Sequence, residues 1–318
     1  MIDPVFSAAP DRYERGMRYR RCGRSGVLLP EISLGLWHNF GSVDTLARAT
    51  ETVHYAFDRG ICHFDLANNY GPAYGSAEET FGMIMKKSMA PYRDELFIST
   101  KAGHDMWPGP YGEWGSRKYL MASLDQSLRR MNLEYVDIFY SHRYDPSTPL
   151  EETMQALVDI VRQGKALYAG ISKYPADKAR EAYAYLAARD VPCLAYQGRY
   201  NLLDRGVADE GILADAAAAG VGFTAFSPLA QGLLTDRYLH GIPEDSRVGR
   251  GGYLKREDLT PEVMAEVRRL DGVASDKGMT LAQYAISWLL EHKEVTSVIV
   301  GASSVEQLRS NLALFGID

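Results

Sequence analysis

The feature that most constrains this chain is a rhythm. Eight short apolar runs, at 32–36, 61–66, 96–100, 136–140, 166–171, 193–197, 222–226 and 297–300, alternate with amphipathic segments of helical period. The helical patterns fall at 44–59, 118–131, 150–162, 177–189, 211–219, 261–277, 281–291 and 305–315. In the first, Leu46, Ala49, Val53, Ala56 and Phe57 mark the apolar face, with Asp44 placed to cap it and Gly60 to end it. Pro261 suits a first helical position after Thr260, and Thr280 suits a cap. Strands alternating with helices predict a parallel sheet, and eight such units are the number that closes a barrel. An open, doubly wound sheet with a dinucleotide site would carry GxGxxG directly after a strand, and no such match occurs. The predicted fold is α/β, a (β/α)8 TIM barrel.

Ahead of the first run, MRYRRCGRSGVLLP reads as two short strands joined through Gly23 to Gly26, an N-terminal β-hairpin expected to plug the bottom of the barrel. The predicted organisation is one domain over 1–318, with a polar N-terminal extension at 1–16 and a long, aperiodic loop at 229–260. A second long loop, HDMWPGPYGEWGS at 104–116, follows the third run.

Composition narrows the partners. Hydrophobic residues make up 46% and charged residues 24%, enough to bury a large core, and the net charge is −6 without a basic stripe. Nucleic acid is therefore not an expected partner. No stretch reaches the roughly 18 apolar residues of a membrane span, and the first fifteen residues are charged rather than signal-like. Cys22, Cys62 and Cys193 are widely spaced and fit neither a disulfide framework nor a metal motif. A cytoplasmic protein without a metal is expected, and homo-oligomerisation is left open.

Barrel chemistry sits at the carboxyl ends of strands. Those positions offer Asp65, Tyr70 five residues later, Lys101 and His142, from three neighbouring strands. Each alone has an ordinary structural explanation: a buried ion pair, a packed tyrosine, a satisfied core histidine. Together they suit carbonyl reduction. Hydride addition leaves an alkoxide that must be protonated, and a tyrosine can do so if its pKa is drawn down from about 10. An ammonium such as Lys101 favours the phenolate, and Asp65 would hold that ammonium charged. His142 can hydrogen-bond and orient the carbonyl oxygen. No HExxH or GxSxG motif supports a metalloprotease or serine hydrolase.

The segments FDLANNYGPAYGSAEE, STKAG, LEYVDIFYSHR, ALYAGIS, AFSPLAQGLL and GASSVEQLRSN, ordered from about Tyr19 to Asn311, resemble the aldo-keto reductase family. Within it the likeness is to bacterial L-glyceraldehyde 3-phosphate reductases and, further off, to potassium-channel β subunits. The resemblance implies an NADPH-dependent enzyme reducing a small aldehyde, by likeness L-glyceraldehyde 3-phosphate and also methylglyoxal. It places the catalytic tetrad on Asp65, Tyr70, Lys101 and His142. By the same likeness Trp37 lies beside nicotinamide and substrate, Ser172 and Gln197 bind the carboxamide, and Phe226 stacks on the ring. Ser227, Leu229 and Gln231 would line the pyrophosphate, and Ser303, Gln307 and Asn311 the adenosine. Arg237 and Arg247 would supply cations for the 2′-phosphate. Ser310 stands where the family usually has Glu, and Ser304 where some members have Arg. Trp37, Trp107, Tyr111 and Arg143 are candidates for the substrate pocket, with Arg117 and Lys118 as further cations. The competing reading is an NADPH-binding redox sensor like the channel β subunits, which carry Asn where His142 stands here.

Overall fold

The computed structural model describes residues 6–244, 246, 248 and 254–317. Arg247 lies outside the described residues. The hairpin strands are β1 (Tyr19–Arg21) and β2 (Leu28–Pro30). Eight further strands follow: β3 (Ile32–Gly35), β4 (His63–Asp65), β5 (Phe97–Ala102), β6 (Val136–Ser141), β7 (Ala166–Ser172), β8 (Cys193–Arg199), β9 (Gly222–Phe226) and β10 (Val295–Val300). They pair in parallel in chain order, and β10 closes on β3, so the sheet is a complete barrel. The helices are α1 (Leu46–Asp58), α2 (Ser76–Ile84), α3 (Arg117–Met131), α4 (Leu150–Arg162), α5 (Ala176–Ala187), α6 (Gly206–Asp209), α7 (Ile212–Ala219), α8 (Pro261–Asp276), α9 (Leu281–Glu291) and α10 (Val305–Leu312). Each of the eight predicted runs is one barrel strand.

Both faces of a parallel strand are buried, which is why these runs lack polar alternation. In β6 every residue is buried. Ile138 and Tyr140 pack inward with Leu194 and Ala195, while Phe139 joins the larger core shared with the helices. Cys22 and Leu29 of the hairpin complete the inner cluster. The hairpin tip is pressed against β9: a Cβ on Gly222 would stand 2.3 Å from Cys22 Sγ. Buried Glu31 accepts hydrogen bonds from Arg18 (2.8 Å) and Arg20 (2.7 Å). Arg20 also donates to the carbonyls of Leu290 (2.6 Å) and Val295 (3.0 Å), tying the hairpin to the end of α9 and the start of β10.

Several local expectations are corrected. The α1 cap is Thr45, whose hydroxyl accepts from the Arg48 amide at 3.3 Å; Asp44 pairs instead with the Arg48 side chain. Helix α2 was not expected. It begins after left-handed Gly75, has no side-chain cap, and runs into a π turn (Met85–Met89) and a 3-10 turn (Ala90–Glu95). The last helical pattern ends as an α-helix at Leu312 and continues as a 3-10 turn, Ala313–Phe315. The long loop is not featureless: Leu233, Tyr238 and Leu254 bury one another in a small cluster. Among the described residues no helix is long and apolar enough to cross a membrane.

Candidate active site

The carboxyl end of the barrel gathers the tetrad. Asp65 ends β4, Lys101 lies near the end of β5, and His142 directly follows β6. Tyr70 is held in the turn after β4, its amide bonded to the Ala67 carbonyl (3.0 Å) and its own carbonyl receiving the amide of Ala77 (3.2 Å). Lys101 Nζ, with 0% of its side chain exposed, donates to Asp65 Oδ2 at 2.7 Å. It also donates to the Leu66 carbonyl and, at 3.3 Å, to the Tyr70 hydroxyl. The His142 ring stands edge-on to Tyr70, centroids 6.0 Å apart, and Trp37 closes the other side at 6.4 Å.

The charges follow from this burial. Desolvation and the Asp65 carboxylate push the Tyr70 phenol well above 10. This corrects the expectation that Lys101 draws the resting pKa down: burial dominates, and Tyr70 keeps its proton. Burial lowers the Lys101 pKa, opposed by Asp65. Burial, followed by the cations Lys173 and Lys101, drives His142 well below 6.5, so it is a neutral imidazole. Its Nδ1 is buried without a partner.

Beneath the tetrad runs a polar chain that sequence reading missed. Ser297 donates to the Pro30 carbonyl (2.6 Å) and meets Ser33 Oγ (2.6 Å), which meets His63 Nδ1 (2.7 Å). His63 Nε2 then meets Ser99 Oγ (3.1 Å), which donates to Asp65 Oδ1 (2.7 Å). Desolvation lowers the His63 pKa to about 4, so the ring is neutral and its single N–H donates to one of the two hydroxyls at a time. Asp65 Oδ1 also accepts from Gln197 (2.9 Å). The carboxylate is thus fixed from both sides; only the spacing of His63 and Asp65 hinted at this.

Around the mouth, Ser172 ends β7 and Phe226 ends β9. The Ser172 hydroxyl, Gln231 Oε1 and Asn311 Nδ2 are buried with no hydrogen-bond partner. Ser227 and Gln231 hold left-handed backbone (φ 55° and 60°), and Leu229 lies between them, partly buried against the core. Ser303 donates from both amide and hydroxyl to Gln307 Oε1, at 2.7 and 3.0 Å. Arg237 lies exposed on a 3-10 turn of the long loop. Among the pocket candidates, Trp107 packs on Tyr119 (5.1 Å), and Tyr111 is 54% exposed beside Lys118. Arg143 donates to the Gly103 carbonyl (2.7 Å), lies 3.6 Å over the Trp114 ring, and approaches Glu113 at 3.5 Å. Among the described residues no group of three His, Cys, Asp or Glu side chains is placed to hold a metal.

The aldo/keto reductase family profile matches residues 31–317, from the edge of β3 to the end of the described chain. This protein belongs to the aldo/keto reductase family. The reductase is 56% identical over 313 residues to "L-glyceraldehyde 3-phosphate reductase" of Escherichia coli O157:H7, covering 97% of this chain and 90% of the relative. The counterpart in Escherichia coli K12 is 55% identical with the same coverage. A "Probable voltage-gated potassium channel subunit beta" of Arabidopsis thaliana is 35% identical over 302 residues, covering 93% of this chain and 90% of that protein. The chain is therefore an oxidoreductase acting on small molecules, of a family that generally uses NAD(P)H. The mouth fits such a cofactor: the unpartnered polar atoms of Ser172, Gln231 and Asn311 are buried groups of the kind a polar ligand satisfies.

Proposed function

We propose that this protein is an NADPH-dependent reductase of a small aldehyde, L-glyceraldehyde 3-phosphate first, with methylglyoxal also accepted. The substrate assignment is supported by the name carried by the relatives at 55–56% identity. The chemistry is supported above all by one observation: a single buried ammonium, Lys101 Nζ, is shared between Asp65 and the Tyr70 hydroxyl beside a neutral His142.

When bound, the nicotinamide supplies the hydride. Ser172 and Gln197 would hold its carboxamide, and Phe226 and Trp37 would flank its ring. Ser227, Leu229 and Gln231 would line the diphosphate, and Ser303, Gln307 and Asn311 the adenosine. Arg237 would lie near the 2′-phosphate, and the Arg247 assignment rests on the sequence alone. His142 donates a hydrogen bond that orients the substrate carbonyl, as its neutral state allows. Tyr70, protonated at rest, gives its proton to the developing alkoxide, and Lys101 then stabilises the phenolate. Asp65 keeps Lys101 charged and aimed. The three buried free cysteines suit a reducing, cytoplasmic compartment.

The test is loss of NADPH absorbance against L-glyceraldehyde 3-phosphate, L-glyceraldehyde, methylglyoxal and an aromatic aldehyde, with NADH in parallel. A preference for the phosphorylated L-aldehyde with NADPH is expected. Equal turnover of all four would remove the substrate assignment. No turnover by a protein that retains NADPH would favour the sensor reading.

A further inference from the structure

Cations near the mouth are mostly committed. Lys101 is paired with Asp65 (2.7 Å), Arg117 with Asp159, Arg199 with Asp204 (3.6 Å), and Arg143 lies between Glu113 and the Trp114 ring. Lys173 differs. It directly follows Ser172 at the end of β7, and among the described residues its ammonium meets an imidazole and an aromatic ring rather than a carboxylate. Its backbone is left-handed at φ 56°, a strained conformation for a non-glycine residue, and its side chain is exposed at the rim. Its ammonium stands 3.3 Å from His104 Nε2 and 5.5 Å from the centre of the Phe226 ring. His104 in turn stands edge-on to His142 at 4.6 Å. His104 thus stands between the carbonyl-orienting imidazole and the ammonium, in contact with both.

His104 is firmly placed. Its carbonyl receives the Tyr119 hydroxyl, which in turn receives Asn68 Nδ2 at 2.9 Å. Burial and the neighbouring cations hold its imidazole neutral, with a pKa of about 4, so it can donate one N–H. We propose that Lys173 and His104 form an anion subsite at the rim of the mouth that holds the phosphate of a short phosphorylated aldehyde while His142 holds its carbonyl. This rests on the aldehyde-reductase reading above and assigns the group that selects its substrate. Lys173 supplies the charge-assisted contact, His104 Nε2 accepts from its ammonium and positions it, and Arg143 and Arg199 add positive field, being among the cations that lower the Lys173 pKa. The sequence reading had offered Arg143 for this role, but Glu113, Trp114 and the Gly103 carbonyl occupy its guanidinium.

The experiment compares L-glyceraldehyde 3-phosphate with L-glyceraldehyde in the unmodified protein, Lys173→Met and Lys173→Arg, with the Kd of NADPH and NADH measured for each. Loss of a charge-assisted contact predicts a fall of about 10- to 100-fold in kcat/KM for the phosphorylated substrate of Lys173→Met. The unphosphorylated aldehyde and both cofactor Kd values should change far less, and Lys173→Arg should keep much of the preference. Equal losses on both aldehydes would overturn the subsite. So would weakened cofactor binding of matching size, which would make Lys173 a cofactor contact. If Lys173→Met does not fold, the unmodified protein still decides: inorganic phosphate should compete with L-glyceraldehyde, and competition with NADPH alone would refute the subsite. A protein with no phosphate preference at all fails the substrate reading itself; a preference that survives Lys173→Met fails only the subsite.

Discussion

The Asp65–Lys101 pair allows a stability experiment whose size follows from the geometry. In Asp65→Asn, Lys101 Nζ stays fully buried and loses its counter-charge. The substituted amide cannot replace the carboxylate. Its carbonyl oxygen can keep the donors Ser99 and Gln197, which turns its NH2 toward Lys101, a group with no lone pair to accept it while charged. The protein escapes an uncompensated buried charge by folding with neutral Lys101. At pH 7 that costs about 1.4 kcal/mol for each of the roughly 3.4 units below an unfolded pKa of about 10.4, or about 4.6 kcal/mol. At pH 9 the same term is about 1.9 kcal/mol. The sign is fixed by proton counting: the unfolded variant binds a proton that the folded one lacks, so its stability rises with pH relative to the unmodified protein. Urea denaturation at pH 7, 8 and 9, followed by circular dichroism, should show the deficit shrinking by about 1.4 kcal/mol per unit. Lys101→Met combined with Asp65→Asn should recover much of the loss, because no charge is then buried. A deficit independent of pH, or a double variant as unstable as the two singles added, would refute the reasoning.

Three further outcomes follow. Tyr70→Phe should lower kcat by about 10²- to 10⁴-fold, as expected for loss of a general acid, while a fluorescence titration finds NADPH affinity unchanged; near-normal turnover would remove Tyr70 from its role. Preference for the phosphorylated aldehyde should fall as pH rises through about 8, where Lys173, exposed at the rim but with its pKa lowered by partial desolvation and by Lys101, Arg199 and Arg143, loses its proton. The neighbouring His104 is already neutral there, and the phosphate has been dianionic since about pH 6; a preference flat to pH 9.5 or so would exclude Lys173 as its source. Gly82→Ala should lower Tm by several degrees, since its Cβ would stand 2.0 Å from the Arg130 carbonyl where α2 meets α3. Gly272→Ala on α8, with open space around the new Cβ, should instead be neutral or stabilising.

The barrel was legible because its strands are buried on both faces, so eight continuous apolar runs survive in the sequence between helical stretches. The tetrad was legible because a barrel converts position along the chain into position at the mouth: the last residues of β4, β5 and β6 must meet. What escaped depends on pairing across the sheet. The Ser297–Ser33–His63–Ser99 chain needs four strands in register, and nothing local to any one of them announces it. Arg143 read as a free cation because its partners come from a loop some thirty residues earlier. Helix α2 escaped because it runs for only nine residues before the π turn at Met85–Met89 and its start lacks a capping side chain. Lys173 drew no reading because a single lysine after a strand carries no pattern of its own; the fold sets it against His104.

The distribution of backbone strain explains why a barrel carries such a site. Eight described non-glycine residues hold positive φ. Asn132 and Asp190 lie at the ends of helices, where a left-handed residue commonly terminates the turn. The other six, His38, Trp114, Lys173, Ser227, Ala230 and Gln231, all lie in loops that leave the carboxyl ends of β3, β5, β7 and β9. Each costs of order 1–3 kcal/mol, so the mouth stores a strain comparable to the net stability of a whole domain. Only a scaffold with a large core of its own can offset that, and here the closed sheet, its hairpin plug and the surrounding helix layer supply it. The strain also falls on residues whose side chains stand at the mouth, Lys173 against His104 and Gln231 with its buried, unpartnered amide oxygen. Relaxing any one of them to ordinary backbone would stabilise the chain and turn that group away from the mouth, which is the trade a catalytic face makes against the barrel beneath it.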